Sequence, residues 1–239
     1  MRYLLSLLLL LASTAAFASD QCAVPAELAP EFRPLPRVQA TIAQRQKLTV
    51  IALGGASTGG AAAGTPDAAY PARLQVLLGQ RFPDAPVEVI NASRPRETTR
   101  LLVERLQGLL IAHRPQLVIW ETGTADAVRR VDPGEFGQYL QAGVDFARSR
   151  SADIILMDFQ YGRGASALID FEPYLERLDW ASTMKEVALF RRHDMMRFWS
   201  DSGLLDLTER QGDRQRMMAA VLYDCIARRL DEMIGRAVK

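Results

Sequence analysis

The stretch Leu-Thr-Val-Ile-Ala-Leu (48–53), followed directly by Gly-Gly-Ala-Ser-Thr-Gly-Gly (54–60), decides the fold of this chain. An apolar, β-rich run that stops at a glycine-rich turn predicts a buried strand whose end opens into a sharp bend. The glycines let the backbone bend tightly and let a ligand come close to it. The turn carries one serine, Ser57, and several hydrolase folds present a nucleophile at such a junction.

The alternation of an apolar run with a helical stretch continues along the chain. Apolar runs lie at 48–53, 87–90, 117–120 and 154–157, with a weaker one near 187–190. Helical periodicity lies at 70–81, 97–113, 134–150, 172–185 and about 214–238. This order predicts one α/β domain with a parallel sheet covered by helices on both faces, and no internal repeat or linker interrupts it.

The ends of the predicted strands carry the chemically distinctive residues. They are the Ser57 turn and the segments 91–97, 121–126 and 158–161. Ligands of open α/β sheets bind beyond the carboxyl ends of the strands. We therefore expect any functional site at these four strand ends.

Residues 1–18 are typical of a secretory signal peptide, with Arg2, an apolar run at 4–11 and Ala-Phe-Ala at 16–18. We expect cleavage after Ala18, no membrane span afterwards and an exported, periplasmic protein, with a proline-rich arm at 19–47 and the α/β domain at 48–239. Of the 29 Lys and Arg residues one lies in the leader, so the remaining 28 balance the 28 acidic residues. That balance gives no indication of a nucleic-acid partner.

The two cysteines, Cys22 and Cys225, lie near opposite ends of the chain. In an exported protein they predict a disulfide between the arm and the last helix; the alternative is two unpaired, buried thiols. No histidine or cysteine spacing indicates a metal site, and no phosphate-binding glycine motif is present. We expect neither metal nor cofactor.

The motifs resemble those of the SGNH (GDSL-type) hydrolase superfamily, which comprises esterases, lipases and carbohydrate deacetylases on a flavodoxin-like sheet. Its first motif, Gly-Asp-Ser-small-Gly, corresponds to Gly55-Ala-Ser57-Thr-Gly, and its third, Gly-x-Asn-Asp, to Gly123-Thr-Ala-Asp126. The segment 189–199 is similar to the one that precedes the family's last motif. The resemblance covers about residues 48–235 and implies a flavodoxin-like, three-layer fold.

The resemblance implies Ser57 as nucleophile, with a histidine as base and an aspartate three residues before it. This Asp-x-x-His motif falls either at 206–209 or at 213–216, and neither segment holds a histidine. The motif asparagine is Ala125, and the loss of one such oxyanion donor lowers the rate by roughly 10²–10³. His113 is expected at the opposite edge of the sheet, and His193 is either a surface or capping residue or a relocated base.

Ser57 itself is either a nucleophile, a ligand contact or a small residue that the turn requires. Asp126 corresponds to a family position that is mostly structural, and we expect it to hold loop N–H groups. The segment that corresponds to the family's second motif contains arginines where a glycine is expected. Guanidinium groups recognise carboxylates and phosphates, so an anion site is one interpretation and solvated surface the other. The candidate ligand-binding residues are Gly55, Arg94, Arg96, Gly123 and Arg216.

Three functions follow from these residues. The first is an ester hydrolase, an esterase or carbohydrate deacylase, with Ser57 as nucleophile and a non-standard base. The second is an inactive relative that binds an anionic or acylated ligand, such as an acylated carbohydrate, at the same strand ends. The third is a structural or assembly scaffold. The site and not the fold has to decide among them.

Overall fold

A computed structural model describes residues 20–29, 33–208 and 212–238. The predicted signal peptide, residues 1–18, lies outside the described residues. Within them a five-stranded parallel sheet has the order β2-β1-β3-β4-β5. Its strands are β1 (Leu48–Gly54), β2 (Val87–Ser93), β3 (Leu117–Glu121), β4 (Asp153–Met157) and β5 (Val187–Phe190). All five predicted strands, including the weak last one, are confirmed.

Helices connect and cover these strands. They are α1 (Pro36–Ala43), α2 (Tyr70–Arg81), α3 (Thr99–His113), α4 (Thr124–Arg129), α5 (Pro133–Ser149), α6 (Arg163–Ser166), α7 (Glu172–Ser182), α8 (Arg192–Asp201) and α9 (Gly212–Ala237). Single turns of 3-10 helix lie at Ala26–Leu28, Ala61–Ala63 and Pro66–Ala68. None of the helices described is long and apolar enough to cross a membrane.

Two apolar cores lie on the two faces of the sheet, and β1 shows why. Its side chains alternate: Val50 and Ala52 pack with α1, α2, α8 and α9, whereas Ile51 and Leu53 pack with α3, α5 and α7. The strand is buried on both faces, as its continuous apolar sequence predicts. The three-layer α/β fold is therefore confirmed.

The N-terminal arm is fastened to the domain at both of its described parts. Cys22 forms a disulfide with Cys225 of α9, 203 residues away. Further along, Asp153 at the start of β4 accepts hydrogen bonds from the backbone N–H groups of Arg37 and Val38, at 2.8 and 3.0 Å. This second part of the arm thus lies at the edge of the sheet opposite the carboxyl ends of the strands.

Candidate active site

A cleft lies between β1 and β3, where the order in which successive strands are added to the sheet reverses. Strands on either side of such a switch point are connected on opposite faces of the sheet, so their carboxyl ends leave a crevice. The crevice here, named the Ser57 cleft, has a volume of about 360 Å³. It is lined by Gly55, Ala56, Ser57, Arg96, Glu97, Leu102, Glu121, Thr122, Gly123, Thr124, Ala125, Val128, Arg129 and Gln160.

The turn after β1 brings Ser57 to the floor of this cleft. Ser57 is 9% exposed, and its neighbour Thr58 is buried. The backbone N–H of Thr58 donates to Oε2 of Glu121 at 3.1 Å, and the Thr58 hydroxyl donates to the same oxygen. The turn needs glycine at position 54, because a Cβ there would lie 2.8 Å from Cβ of Glu121. The end of β3 therefore holds the turn that presents Ser57.

Arg192 contacts the hydroxyl group of Ser57. It is the first residue of α8, and its side chain is fully buried. Nη1 of Arg192 donates to Oγ of Ser57 at 2.8 Å, and Nη2 donates to Oε1 of Glu121 at 3.1 Å. Nε of Arg192 has no hydrogen-bond partner among the described residues. The result is a buried chain of Ser57, Arg192 and Glu121 that has the layout of a triad without an imidazole.

Arg192 and Glu121 neutralise each other. A buried ion of either sign without a partner is strongly unfavourable, and the pair meets this requirement by a direct contact. Glu121 is further satisfied by the two hydrogen bonds from Thr58. The charge at the floor of the cleft is therefore fixed and balanced before any ligand enters.

Tyr223 of α9 also belongs to the surroundings of Ser57. The residue is buried, and burial raises the pKa of its phenol. The Arg192 charge and the side chain of Ser57 oppose this rise. At neutral pH Tyr223 is consequently a neutral hydroxyl, able to donate or accept a hydrogen bond but not to act as a strong base.

Asp126 is buried beside Thr99, the first residue of α3, and not beside Ser57. Its carboxylate accepts from the backbone N–H of Thr99 at 2.9 Å and from the Thr99 hydroxyl at 2.8 Å. Burial raises the pKa of Asp126, and these hydrogen bonds oppose the rise. The geometry is that of a carboxylate that fixes the first turn of a helix.

His193 follows Arg192 but makes its contacts on the other side of α8. Its ring packs edge-on against Tyr161, with 5.4 Å between ring centroids, and Nδ1 lies 3.4 Å from Oδ1 of Asp194. Its backbone N–H donates to Oδ1 of Asp158 at 2.8 Å. Within the described chain no hydrogen bond joins either histidine to Ser57. Burial raises the pKa of Asp158 to about 7, although the His193 N–H and the Arg192 charge oppose this.

The structure distributes the remaining candidate residues between the cleft and the surface. Gly55, Gly123 and Arg96 line the Ser57 cleft. Arg94 is exposed, with Nη1 3.9 Å from a Glu97 oxygen, and does not line the cleft. Arg216 is exposed, pairs with Asp213 and lies over Gly64.

No described residue of the last family motif acts as a base beside Ser57 in either register. Asp206 is exposed and accepts hydrogen bonds from the N–H and hydroxyl of Thr208, and Glu209 lies outside the described residues. In the other register, Asp213 and Arg216 pair with each other in the first turn of α9. The described residues also hold no group of three or more side chains fit to ligate a metal.

Sequence reasoning missed Arg192 and Tyr223, and it included Glu121 only in the strand-end segment 121–126 without giving it a role. One signal was present for Glu121 and Arg192: Glu121 ends an apolar strand and Arg192 lies two residues beyond another, and strand ends are where ligands bind. Tyr223 gives no such signal, because a tyrosine in the middle of an apolar helix face is typical of a core residue.

Comparison with known proteins places the chain in a family. The sequence model of the non-GDSL lipase-like family matches residues 21–239. Esterase TesA of Pseudomonas aeruginosa is 33% identical over 86 residues, which are 35% of this chain and 43% of the esterase. The match thus spans less than half the length of that relative.

Two solved structures share the fold. A crystal structure of TesA matches with a TM-score of 0.62 and 20% identity, over 77% of this chain and 99% of TesA. A two-domain esterase active on acetylated mannans, crystallised with mannopentaose, matches with a TM-score of 0.65 and 17% identity, over 87% of this chain and 56% of the esterase. At these identities the structures establish the fold and not the chemistry. The match over residues 21–239 shows that this chain belongs to the non-GDSL lipase-like family, and the solved structures show that it has the fold of SGNH hydrolases.

Proposed function

We propose that this protein binds an acylated ligand in the Ser57 cleft and turns over esters far more slowly than an esterase, if at all. One observation carries the proposal: the buried guanidinium of Arg192 donates a hydrogen bond to Oγ of Ser57. A serine hydroxyl attacks an ester only when a neighbouring group takes its proton. A guanidinium stays protonated in proteins, so Arg192 donates to Ser57 and accepts nothing from it.

The other groups near Ser57 do not replace the missing base. Both oxygens of Glu121 are already engaged, one by Arg192 and one by Thr58. Tyr223 is held neutral by its burial. In the family the base is an imidazole, and the ring of His193 contacts Tyr161 and Asp194 instead.

The walls of the cleft suit an acyl group. Leu102, Ala125 and Val128 give it an apolar side, and Val128 is 56% exposed although it is aliphatic. Gly123 lines the cleft with its backbone alone, because it has a φ of +95° and a Cβ there would overlap the buried ring of Phe159. Ser57 and Gln160 supply polar groups for the ester or the alcohol part. The mannan esterase supports an acylated carbohydrate as one such ligand.

An ester hydrolase is the second candidate, and the position of Ser57 favours it. The serine lies at the carboxyl end of β1 and lines an open cleft, as the nucleophile of an SGNH esterase would. The permanent charge of Arg192 would stabilise a negative charge on Oγ. Its esterase relatives point the same way. What this candidate lacks is a group that accepts the Ser57 proton.

Labelling with a fluorophosphonate probe separates the two candidates. Native protein, the Ser57→Ala variant and heat-denatured protein are compared, with an SGNH esterase as positive control. We expect no labelling of the native protein, and no hydrolysis of p-nitrophenyl octanoate above that of Ser57→Ala. Labelling that Ser57→Ala abolishes would refute the binding proposal and establish Ser57 as an activated nucleophile.

Calorimetry with 6-O-octanoylglucose tests binding directly. We expect binding that the Val128→Asp substitution weakens, because it places a charge on the apolar wall. Ile111→Asp is the matched control, since Ile111 is equally exposed, at 56%, and does not line the cleft. Equal weakening by both substitutions, or the absence of binding to wild type, would refute the proposed ligand class.

We also propose that the protein works after export. The disulfide between Cys22 and Cys225 supports this, because such bonds persist in oxidising compartments. The measurement is fractionation of expressing cells followed by thiol alkylation with and without reductant. Export predicts a periplasmic protein whose two cysteines react only after reduction, and a cytoplasmic protein with free thiols would contradict it.

A further inference from the structure

The acidic and basic side chains that line the Ser57 cleft are equal in number but do not pair with one another. Two carboxylates and two guanidinium groups line it: Glu97, Glu121, Arg96 and Arg129. Both carboxylates are already paired with arginines that do not line the cleft. Glu121 pairs with Arg192, and Oε2 of Glu97 accepts from Nε and Nη2 of Arg105 at 2.9 and 2.5 Å.

Neither Arg96 nor Arg129 forms a direct ion pair within the described residues, whereas Arg94 and Arg105 next to them both face Glu97. The charge of Arg129 opposes the rise in the pKa of the buried Asp126, but that carboxylate is occupied by hydrogen bonds from Thr99. Both arginines are exposed and line the cleft, so they form its mouth. The mouth therefore carries two guanidinium groups with no direct acidic contact.

The backbone holds these two arginines together. Arg96 has a φ of +68°, in the left-handed region that non-glycine residues rarely adopt. Nη2 of Arg129 donates to the carbonyl oxygen of Arg96 at 2.9 Å. Such a conformation persists only where the surroundings enforce it, and it is concentrated at ligand-binding sites.

We propose that the acylated ligand carries a phosphate or a carboxylate on its alcohol part, and that Arg96 and Arg129 bind this anionic group at the cleft mouth. The inference rests on the proposed function, because it places the acyl group in the Ser57 cleft. Guanidinium groups match the oxygens of a phosphate and of a carboxylate, so either anion fits the two arginines. The ligand is thus an anionic amphiphile and not a neutral ester.

Three probes with one acyl chain test the charge requirement. They are 1-octanoylglycerol, its 3-phosphate and O-octanoyl-lactate, titrated by calorimetry below their micellar concentrations at low salt. We expect at least one anionic probe to bind about 10-fold more tightly than the neutral one, a preference typical of two exposed charged contacts. The preference should shrink at 0.5 M NaCl, because salt screens exposed charges. The anionic probe that binds more tightly shows whether the ligand carries a phosphate or a carboxylate.

The double variant Arg96→Gln/Arg129→Gln tests whether the two arginines of the cleft mouth cause the preference for anionic probes. It should bind anionic and neutral probes within about 2-fold of each other, whereas the control Arg100→Gln/Arg197→Gln should keep the preference. The control removes the same charge from exposed arginines that do not line the cleft. Equal affinity of wild type for the neutral and both anionic probes overturns this inference and leaves acyl binding standing. Absence of binding by all three probes overturns both.

Discussion

The buried pair of Arg192 and Glu121 makes a quantitative prediction about stability. Arg192→Met keeps most of the side-chain volume but leaves Glu121 buried without its cation. Removing one member of a buried pair typically costs about 3–5 kcal/mol. Glu121 retains two hydrogen bonds from Thr58, so we expect the lower part of this range, about 3–4 kcal/mol. The lost bond to Ser57 adds little, since the serine borders a cleft where water can replace it.

Urea unfolding followed by tryptophan fluorescence and circular dichroism, with the disulfide intact, measures this free energy. Arg191→Met is the matched control, because Arg191 precedes Arg192 but pairs with Asp179 at the surface. Surface pairs contribute about 0–1 kcal/mol, so the control should unfold close to wild type. The double variant Arg192→Met/Glu121→Gln should recover at least about 2 kcal/mol of the loss, because it removes the unpaired charge.

Two results would refute this reasoning. The first is an Arg192→Met variant whose free energy of unfolding lies within about 1 kcal/mol of that of wild type, because a buried unpaired carboxylate destabilises a protein by more than this. The second is a double variant less stable than Arg192→Met alone. In that case the glutamate would be satisfied by groups other than Arg192, and the arginine would be free to serve a ligand.

Two further predictions concern pH and packing. Burial raises the pKa of Asp158 to about 7, against about 3.9 in an unfolded chain, so the folded state binds this proton more tightly. The free energy of unfolding should therefore fall as the pH rises from about 4 to about 7. Urea titrations at pH 5 and 8 should show a smaller difference in this free energy for Asp158→Asn than for wild type. An equal difference would contradict the raised pKa of Asp158. Gly143→Ala should destabilise by about 1–3 kcal/mol in thermal unfolding, because its Cβ would lie 2.6 Å from Cζ3 of Trp120. Gly79→Ala, with no atom within 4 Å, should be neutral or stabilising, and similar effects of the two would show that the Trp120 contact is absent.

The fold was predictable because its signals are local. Each strand is four to seven residues long and contains an apolar stretch, and each long helix has its own periodicity, so neither requires knowledge of distant contacts. The helix bounds shift by a few residues, as at 97–113, where α3 begins at Thr99. The arm at 19–47 was predicted without a helix, yet α1 forms there with Pro36 in its first turn, a position that tolerates proline.

The chemistry of the site was not predictable for a physical reason. Arg192 lies in Arg-Arg-His-Asp (191–194), a charged run typical of an exposed segment. Its burial depends on Ser57 and Glu121, which are 135 and 71 residues away, and no local pattern encodes such contacts. Arg96 was predictable as a cleft residue because it lies three residues beyond the end of β2. Its lack of a direct ion pair was not predictable, because that depends on the pairing of Arg105 with Glu97.

In the proposed function, the distribution of charge favours recognition of a ligand over its turnover. Ester hydrolysis moves a proton away from the serine and returns it, so a hydrolase site needs a group whose charge changes during the cycle. The floor here has a guanidinium that cannot change its charge and a carboxylate that neutralises it. At the mouth, Glu97 is bound by Arg105 and does not pair with Arg96 or Arg129. Fixed charges of this kind are suited to orient a ligand. The expected absence of fluorophosphonate labelling and the expected preference for an anionic probe both follow from this arrangement.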